Sequence, residues 1–200
     1  MKHIYREGNK DTTLLLLHGT GGTEEDLLPL AEQIDTNANI LSVRGNIEEN
    51  GMPRYFKRLR EGVFDEEDLI FRTNELHDFI NQSAEEYGFD RSNVIAIGYS
   101  NGANIAASLL FHFDHPLQGA ILHHPMVPRR ETELPDAKGI NVFIAAGKQD
   151  PICSPEESEE LQTLLSQAGA ETTLHWESGG HQLTIEEVKA AAAWYQQVFP

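Results

Sequence analysis

The sequence predicts an α/β domain in which a mostly parallel central β-sheet carries helices on both faces. Short apolar runs alternate with longer amphipathic segments along the chain, and this alternation is typical of parallel strands joined by crossover helices. The run at residues 12–18 is apolar without a period of two, as expected for a strand that is covered on both faces. Because the 200 residues contain no linker and no internal repeat, we expect one domain spanning residues 1–200.

Each predicted element follows from the local pattern of apolar residues. Strands are predicted at the short apolar runs, which are residues 12–18, 39–43, 93–97, 119–123, 141–146 and 172–176. Helices are predicted at the amphipathic segments, which are residues 23–34, 66–87, 101–111, 155–168 and 185–199. Thr23 is expected to cap the first helix, and the second helix is expected to end before Gly88.

The stretch between residues 44 and 65 has no clear period and contains three glycines and a proline, so it is predicted to be a loop. Loops longer than about 12 to 15 residues are uncommon in compact domains unless they have a function. We therefore expect this stretch and residues 125–135 to wall an open groove. No insertion after Ser100 is long enough for a helical lid.

The charge balance argues against two classes of partner. With 15 Lys+Arg against 32 Asp+Glu, the chain carries a formal net charge of −17, which repels nucleic-acid phosphates and anionic lipid headgroups. Neither nucleic acid nor a membrane is therefore expected as a partner. Cys153 is the only cysteine, so no intrachain disulfide can form, which fits a reducing compartment. Without a long apolar run or a signal-peptide pattern, the chain is expected to be cytoplasmic.

The sequence Gly-Tyr-Ser-Asn-Gly at residues 98–102 lies where a predicted strand meets a predicted helix. This is the arrangement of a nucleophile elbow, in which a sharp turn exposes a serine hydroxyl and the flanking glycines avoid clashes with the neighbouring strand and helix. Ser100 is therefore the candidate nucleophile. The alternative interpretation is a serine at an ordinary strand-to-helix turn.

A serine hydroxyl needs a base and an acid that orients the base, and the sequence offers both in the order Ser, Asp, His. Asp150 and His181 each follow a predicted strand, so each is expected at the carboxyl edge of the sheet, where doubly wound sheets place their sites. Taken alone, Asp150 could be a loop-capping residue and His181 an ordinary loop histidine. Together with Ser100 they predict a catalytic triad.

Acyl transfer also requires backbone N–H groups that stabilise the developing oxyanion. One candidate is the N–H of Asn101, which follows the nucleophile, and the other is the N–H of Thr20 in the glycine-rich loop at residues 17–22. That loop could instead bind an anion or a phosphate. It lacks the Lys-Ser/Thr ending of a P-loop, so nucleotide binding is the weaker interpretation.

Other polar residues have alternative interpretations. Four histidines could be zinc ligands, although no cysteine pair or His-x-x-x-His helix accompanies them: His112, His115, His123 and His124. Cys153 is interpreted as structural, because no base is placed for it. His18 either positions the oxyanion loop or is a packed histidine. Three residues are candidates for the pocket wall: Arg44, Arg54 and Tyr55. The two arginines could instead lie on the solvated surface.

Four motifs carry a resemblance to a known family: Leu-His-Gly-Thr-Gly-Gly at 17–22, Gly-Tyr-Ser-Asn-Gly at 98–102, Gly-Lys-Gln-Asp-Pro at 147–151 and Gly-His at 180–181. On these motifs, almost the whole chain resembles the α/β-hydrolases of the cytosolic carboxylesterase and phospholipase family, which includes acyl-protein thioesterases. The motifs at 44–45, 51–56 and 62–65 resemble its bacterial carboxylesterase branch. The resemblance implies an α/β-hydrolase fold without a cap domain, the triad Ser100, Asp150 and His181, and the donors Thr20 and Asn101. It implies no metal and no cofactor.

The expected function is that of a serine carboxylesterase, which cleaves small or medium carboxylic esters through an acyl-enzyme intermediate. The expected partner is a small-molecule ester, and a homodimer is left open. Thioesterase or lysophospholipase activity on the same triad is an alternative, because the shape of the pocket sets the substrate. Two further alternatives are a non-catalytic, ligand-binding α/β-hydrolase and a metal-dependent hydrolase built on the histidines.

Overall fold

A seven-stranded β-sheet lies at the centre of the protein in the computed structural model, which describes all 200 residues. The strands of the chain are β1 His3–Arg6, β2 Thr13–Leu17, β3 Asn39–Val43, β4 Ile47–Glu49, β5 Met52–Arg54, β6 Arg58–Arg60, β7 Val63–Phe64, β8 Val94–Tyr99, β9 Gly119–His123, β10 Asn141–Gly147 and β11 Glu171–Glu177. The order across the sheet is β1-β3-β2-β8-β9-β10-β11. Within this seven-stranded sheet only the pair β1 and β3 is antiparallel, so the prediction of a mostly parallel sheet is confirmed.

Helices cover both faces of this sheet, as predicted. They are α1 Leu28–Ile34, α2 Glu66–Tyr87, α3 Asn101–His112, α4 Pro155–Gln167 and α5 Ile185–Val198. One apolar core lies between the sheet and α2, α3 and α4, and a second lies between the sheet and α1 and α5. Within β2, Leu15 and Leu17 belong to the first core while Leu14 and Leu16 belong to the second. The unbroken apolar run of β2 is therefore explained by burial on both faces.

Helix α2 has the bounds that the sequence predicts, because both ends carry strong local signals. The carboxylate of Asp65 accepts the N–H of Asp68 at 3.1 Å, which caps the first turn. At the other end, Gly88 adopts a φ of 75°, a left-handed conformation that glycine enters without a steric penalty and that ends helices.

Two predictions about the elements were wrong, and one strand was missed. Helix α1 begins at Leu28 rather than at residue 23, because Pro29 fits the first turn of a helix but not its interior. Thr23 therefore does not cap this helix, and its hydroxyl accepts the N–H of Glu25 in the turn before it. The segment at residues 44–65 is not an irregular loop, since it folds into the hairpins β4–β5 and β6–β7. Strand β1 was not predicted. Its four residues are too few to show a period, and it is stabilised as a strand by pairing with β3.

None of the helices combines the length and the apolar character that crossing a membrane requires. The longest, α2, carries charged residues along its length, beginning with Glu66, Glu67 and Asp68 in its first turn.

Candidate active site

Ser100 lies at the sharp turn between β8 and α3. Its backbone has a φ of 52° and a ψ of −111°, a strained conformation that is held in place because its N–H donates to the carbonyl of His123 at 2.8 Å. The flanking glycines are sterically required. A Cβ at Gly98 would lie 2.6 Å from the nitrogen of Ala103, and a Cβ at Gly102 would overlap the carbonyl oxygen of Leu17. The turn therefore has the geometry of a nucleophile elbow.

The structure brings Ser100, His181 and Asp150 together in one chain of hydrogen bonds. Nε2 of His181 lies 2.8 Å from Oγ of Ser100, and Nδ1 of His181 lies 2.7 Å from Oδ2 of Asp150. The other carboxylate oxygen of Asp150 accepts the N–H groups of Ile152 and Cys153 at 2.8 and 2.9 Å. Burial opposes ionisation of Asp150, but these two donors and then His181 outweigh it and lower the pKa of the carboxyl group. The ionised carboxylate of Asp150, the imidazole of His181 and the hydroxyl of Ser100 are thus aligned.

Two backbone donors beside Ser100 have no partner within the protein. The N–H groups of Thr20 and Asn101 make no hydrogen bond, although both lie next to the predicted nucleophile's pocket. The neighbouring N–H of Gly21 donates to the carbonyl of Pro53 at 2.9 Å and is not free. Of the candidates that the sequence offers, Thr20 and Asn101 are therefore the ones available to an oxyanion.

His18 holds the loop that carries Thr20. Its Nδ1 lies 2.6 Å from the carbonyl of Gly19, and its Nε2 accepts the N–H of Gly45 at 3.1 Å. These two contacts require a neutral ring with its hydrogen on Nδ1. Burial lowers the pKa of His18 and favours the same state. Both interpretations of His18 therefore hold, since it is packed and it positions the loop.

Tyr55 connects the two halves of this region, a role that the sequence did not predict. Its hydroxyl donates to the carbonyl of Val43 at 2.6 Å and accepts the N–H of His18 at 2.9 Å. Its own N–H donates to the side-chain oxygen of Asn101 at 2.7 Å. Tyr55 is 2% exposed, so it supports the site from behind rather than lining the pocket.

The two arginines have different positions. Arg44 binds Glu24 and does not reach the pocket. Arg54 lines the pocket although it is almost fully buried, and its Nη1 donates to Oγ1 of Thr20 at 2.6 Å. Its Nε lies 3.4 Å from the carboxylate of Glu49, which partly balances its charge. Arg54 thus places a buried cation beside the loop that carries Thr20.

Ser100 and His181 open onto a cavity of about 320 Å³. The hairpins of residues 44–65 and the stretch after β9 supply much of its wall, as predicted, and the residues that line it include Arg54, Arg58, Glu61, Phe64 and Met126. Cys153 lies at the edge of the cavity with its thiol donating to the carbonyl of His124 at 3.3 Å. Burial raises the pKa of that thiol far above its ordinary value, so Cys153 is not a thiolate.

The four histidines considered as zinc ligands do not form a common site. His112 contacts Asn74 and His115 contacts the carbonyl of Lys138, whereas His123 and His124 contact buried carboxylates. The one cluster with ligand atoms within 4.8 Å of one another is His124, Asp150 and His181. Hydrogen bonds within the cluster and to Ser100 and Glu187 account for each of its ring nitrogens.

The sheet order, the elbow between β8 and α3 and the residues that meet at the carboxyl edge define the α/β-hydrolase class. No cap domain interrupts the fold. Residues 4–198 match the family described as Phospholipase/Carboxylesterase, and the chain belongs to that family. It is accordingly an enzyme of the carboxylic ester hydrolase class.

Individual relatives agree with this assignment. The chain is 61% identical over 197 residues to MhqD of Bacillus subtilis (strain 168), and the match covers 98% of each chain. The crystal structure of the Bacillus cereus carboxylesterase is 63% identical, with a TM-score of 0.98 over 100% of this chain and 95% of that one. The structure of YahD, solved with malic acid, is 35% identical, with a TM-score of 0.92 over 98% of each chain.

Proposed function

We propose that the protein hydrolyses carboxylic esters through an acyl-enzyme formed on Ser100, with His181 as the general base and Asp150 as the acid that orients it. The observation that carries the proposal is the continuous chain of hydrogen bonds from Oγ of Ser100 through His181 to Asp150. With Nδ1 of His181 donating to Asp150, Nε2 presents its lone pair to the serine hydroxyl.

In the first half of the reaction, Oγ of Ser100 attacks the ester carbonyl carbon while its proton passes to Nε2 of His181. The N–H groups of Thr20 and Asn101 receive the oxyanion, and the ionised Asp150 stabilises the imidazolium. Collapse of the intermediate breaks the bond to the alcohol, which leaves with the proton from His181. Water then attacks the acyl-serine by the same steps and releases the acid.

A fluorophosphonate probe tests the assignment of the nucleophile. The probe is expected to form one covalent adduct per chain, and digestion followed by mass spectrometry should place it on Ser100. Prior incubation with an ester substrate should slow the labelling, because both compounds use the same hydroxyl. An adduct on another residue, or no adduct at all, would contradict the assignment of Ser100 as the nucleophile.

The pH dependence of kcat/KM tests the base. Only a neutral imidazole accepts the Ser100 proton, so kcat/KM is expected to rise with pH through a single ionisation, between about pH 5 and 8. His181→Gln should remove this dependence along with most of the rate. A flat profile over the same range in the unmodified enzyme would show that His181 is not the base.

The cavity favours small or medium esters. Its volume of about 320 Å³ and its charged lining suit a short acyl group better than a long lipid chain, which argues for an esterase rather than a lysophospholipase. Arg54 suits a substrate with a carboxylate near the ester, and the relative YahD was solved with malic acid.

We further propose that the enzyme acts in the cytoplasm, which its single unpaired cysteine fits.

The substrate range can be measured with a panel of p-nitrophenyl esters of increasing chain length. We expect kcat/KM to be highest for short acyl chains, because the cavity is small. Rates should follow ordinary saturation up to the solubility limit of each ester. A sharp increase in rate above that limit, as a lidded lipase shows, would contradict an open site.

A further inference from the structure

The polar chain of the active site continues beyond Asp150 into the interior. Nδ1 of His124 lies 3.1 Å from Oδ2 of Asp150, and Nε2 of His124 lies 3.1 Å from Oε2 of Glu187. The other oxygen of Glu187 contacts Nδ1 of His123. The side chains of His123, His124, Asp150 and Glu187 are at most 1% exposed, so water cannot satisfy them. Their charges and hydrogen bonds must therefore balance among themselves.

Counting hydrogens at His124 identifies its charge. A neutral imidazole carries one N–H, so one of its nitrogens would direct a lone pair at a carboxylate oxygen. Only the imidazolium donates to Asp150 and Glu187 at the same time. Nε2 of His123, by contrast, has no partner, so the contact of that ring with Glu187 is made by Nδ1. His124 is thus the cation of the cluster, and His123 donates to Glu187 through Nδ1.

No other cation serves these two carboxylates. The ionic partners of Asp150 and Glu187 are all histidines, and no lysine or arginine pairs with either carboxylate. A buried carboxylate is stabilised by a nearby countercharge, and a cation placed between two carboxylates stabilises both. His124 lies in that position. It follows β9 with a φ of 53°, a conformation that is uncommon for histidine and that must be held by its surroundings.

We propose that His124 is held as an imidazolium between Asp150 and Glu187, and that His124 and Glu187 are positioning residues that set the orientation and the effective charge of Asp150. The inference rests on the proposed role of Asp150 in the triad. Oδ2 of Asp150 is shared by His124 and His181, while Oδ1 accepts two backbone N–H groups. Four donors therefore fix the carboxylate in one orientation.

The ionisation of the pair agrees with this geometry. Burial alone disfavours both charges, but hydrogen bonds with His123 and His124 lower the pKa of Glu187 to about 2. For His124, the hydrogen bond and the charge of Glu187, followed by those of Asp150, outweigh burial and raise the pKa. The other titratable groups around the His124 ring are His123, Tyr99, Cys153 and His181. The pKa values of Tyr99 and Cys153 are raised, so both stay neutral.

The imidazolium has a consequence for catalysis. The rings of His124 and His181 are 5.2 Å apart, so a positive charge on His124 opposes the addition of a proton to His181 in the free enzyme. Removing the His124 charge should therefore shift the acid limb of kcat/KM to higher pH.

Glu187→Gln removes the carboxylate that keeps His124 protonated, so His124 loses its charge while the shape of the cluster is kept. The amide can accept from His123 and donate to a neutral His124, which still donates to Asp150. We expect the midpoint of the acid limb to rise by about one pH unit, with kcat on the plateau changed less than about threefold. His124→Asn removes a donor to Asp150 and should also lower kcat by about tenfold. His175→Gln, a histidine paired with Glu177 on β11, is the matched control and should leave both quantities unchanged.

The protonation state can be read directly by ring ¹⁵N NMR of the unmodified enzyme with labelled histidine. One of the nine histidines should keep both ring N–H groups at about pH 8, where ordinary histidines are neutral. The signal should disappear in Glu187→Gln and in His124→Asn. If a variant fails to fold, the spectrum of the unmodified enzyme still decides whether an imidazolium is present.

Two results would overturn the inference: no imidazolium at about pH 8, or an acid limb that stays unchanged in a folded Glu187→Gln enzyme. A loss of rate without a shift of the limb would leave only a structural role for the pair. Failure of the proposed triad looks different, because fluorophosphonate would then not label Ser100 while the NMR signal of His124 persists. The two proposals are therefore tested separately.

Discussion

Replacing Ser100 with alanine is expected to lower kcat for ester hydrolysis by a factor on the order of 10⁴ to 10⁶ and to abolish labelling by fluorophosphonate. The members of a triad act as a unit, so without the nucleophile only binding and the oxyanion donors remain. The fold should be unaffected. The side chain of Ser100 makes one hydrogen bond, to His181, and alanine leaves the backbone contact with His123 in place.

The measurement is kcat with a short p-nitrophenyl ester, together with circular dichroism and the melting temperature of each variant. Ser166→Ala is a suitable control, because Ser166 is exposed and pairs only with Thr172. It should match the unmodified enzyme. More than about a tenth of the activity in a folded Ser100→Ala protein would mean that another residue is the nucleophile.

Thr20→Pro is expected to reduce kcat by at least about 100-fold, because proline has no N–H and fixes φ. Thr20→Ala keeps the N–H and should retain most of the activity, although it loses the hydroxyl that accepts from Arg54. The comparison separates the backbone donor from the side chain. The same reasoning applies to the N–H of Asn101, which also has no partner within the protein.

Proline can also disturb the loop, so both variants must show the circular dichroism spectrum and melting temperature of a folded protein. Substrate binding should be measured separately from turnover, since a transition-state donor affects kcat more than ground-state affinity. Equal damage from Thr20→Ala and Thr20→Pro would identify the hydroxyl, and its contact with Arg54, as the working group. The second donor would then lie elsewhere, and the N–H of Gly21 would have to leave Pro53 to serve.

Much of the fold could be predicted from the sequence because it depends on local patterns. Parallel strands such as β2 and β9 are continuous apolar runs, since both of their faces are buried. Helix α2 carries a capping aspartate and a terminating glycine. The convergence of Ser100, Asp150 and His181 was predictable for the same reason, because each follows a strand and parallel strands end at one edge.

Features that depend on contacts between distant segments could not be predicted in this way. Strand β1 exists because β3 offers it an edge, and its own four residues show no distinctive pattern. The hairpins of residues 44–65 pack against the site although their sequence has no clear period.

The positioning pair of His124 and Glu187 is the clearest case. In the sequence, Thr184 and Glu187 have the spacing of a capping box, which would direct the glutamate toward the helix end. In the structure Thr184 does cap the helix, but the glutamate side chain turns into the core to meet His123 and His124, 64 and 63 residues away. The sequence by itself determined the layers of the fold and which residues reach the edge of the sheet. Only tertiary packing decided which buried charges neighbour one another, because that depends on bringing α5 against the ends of β9 and β10.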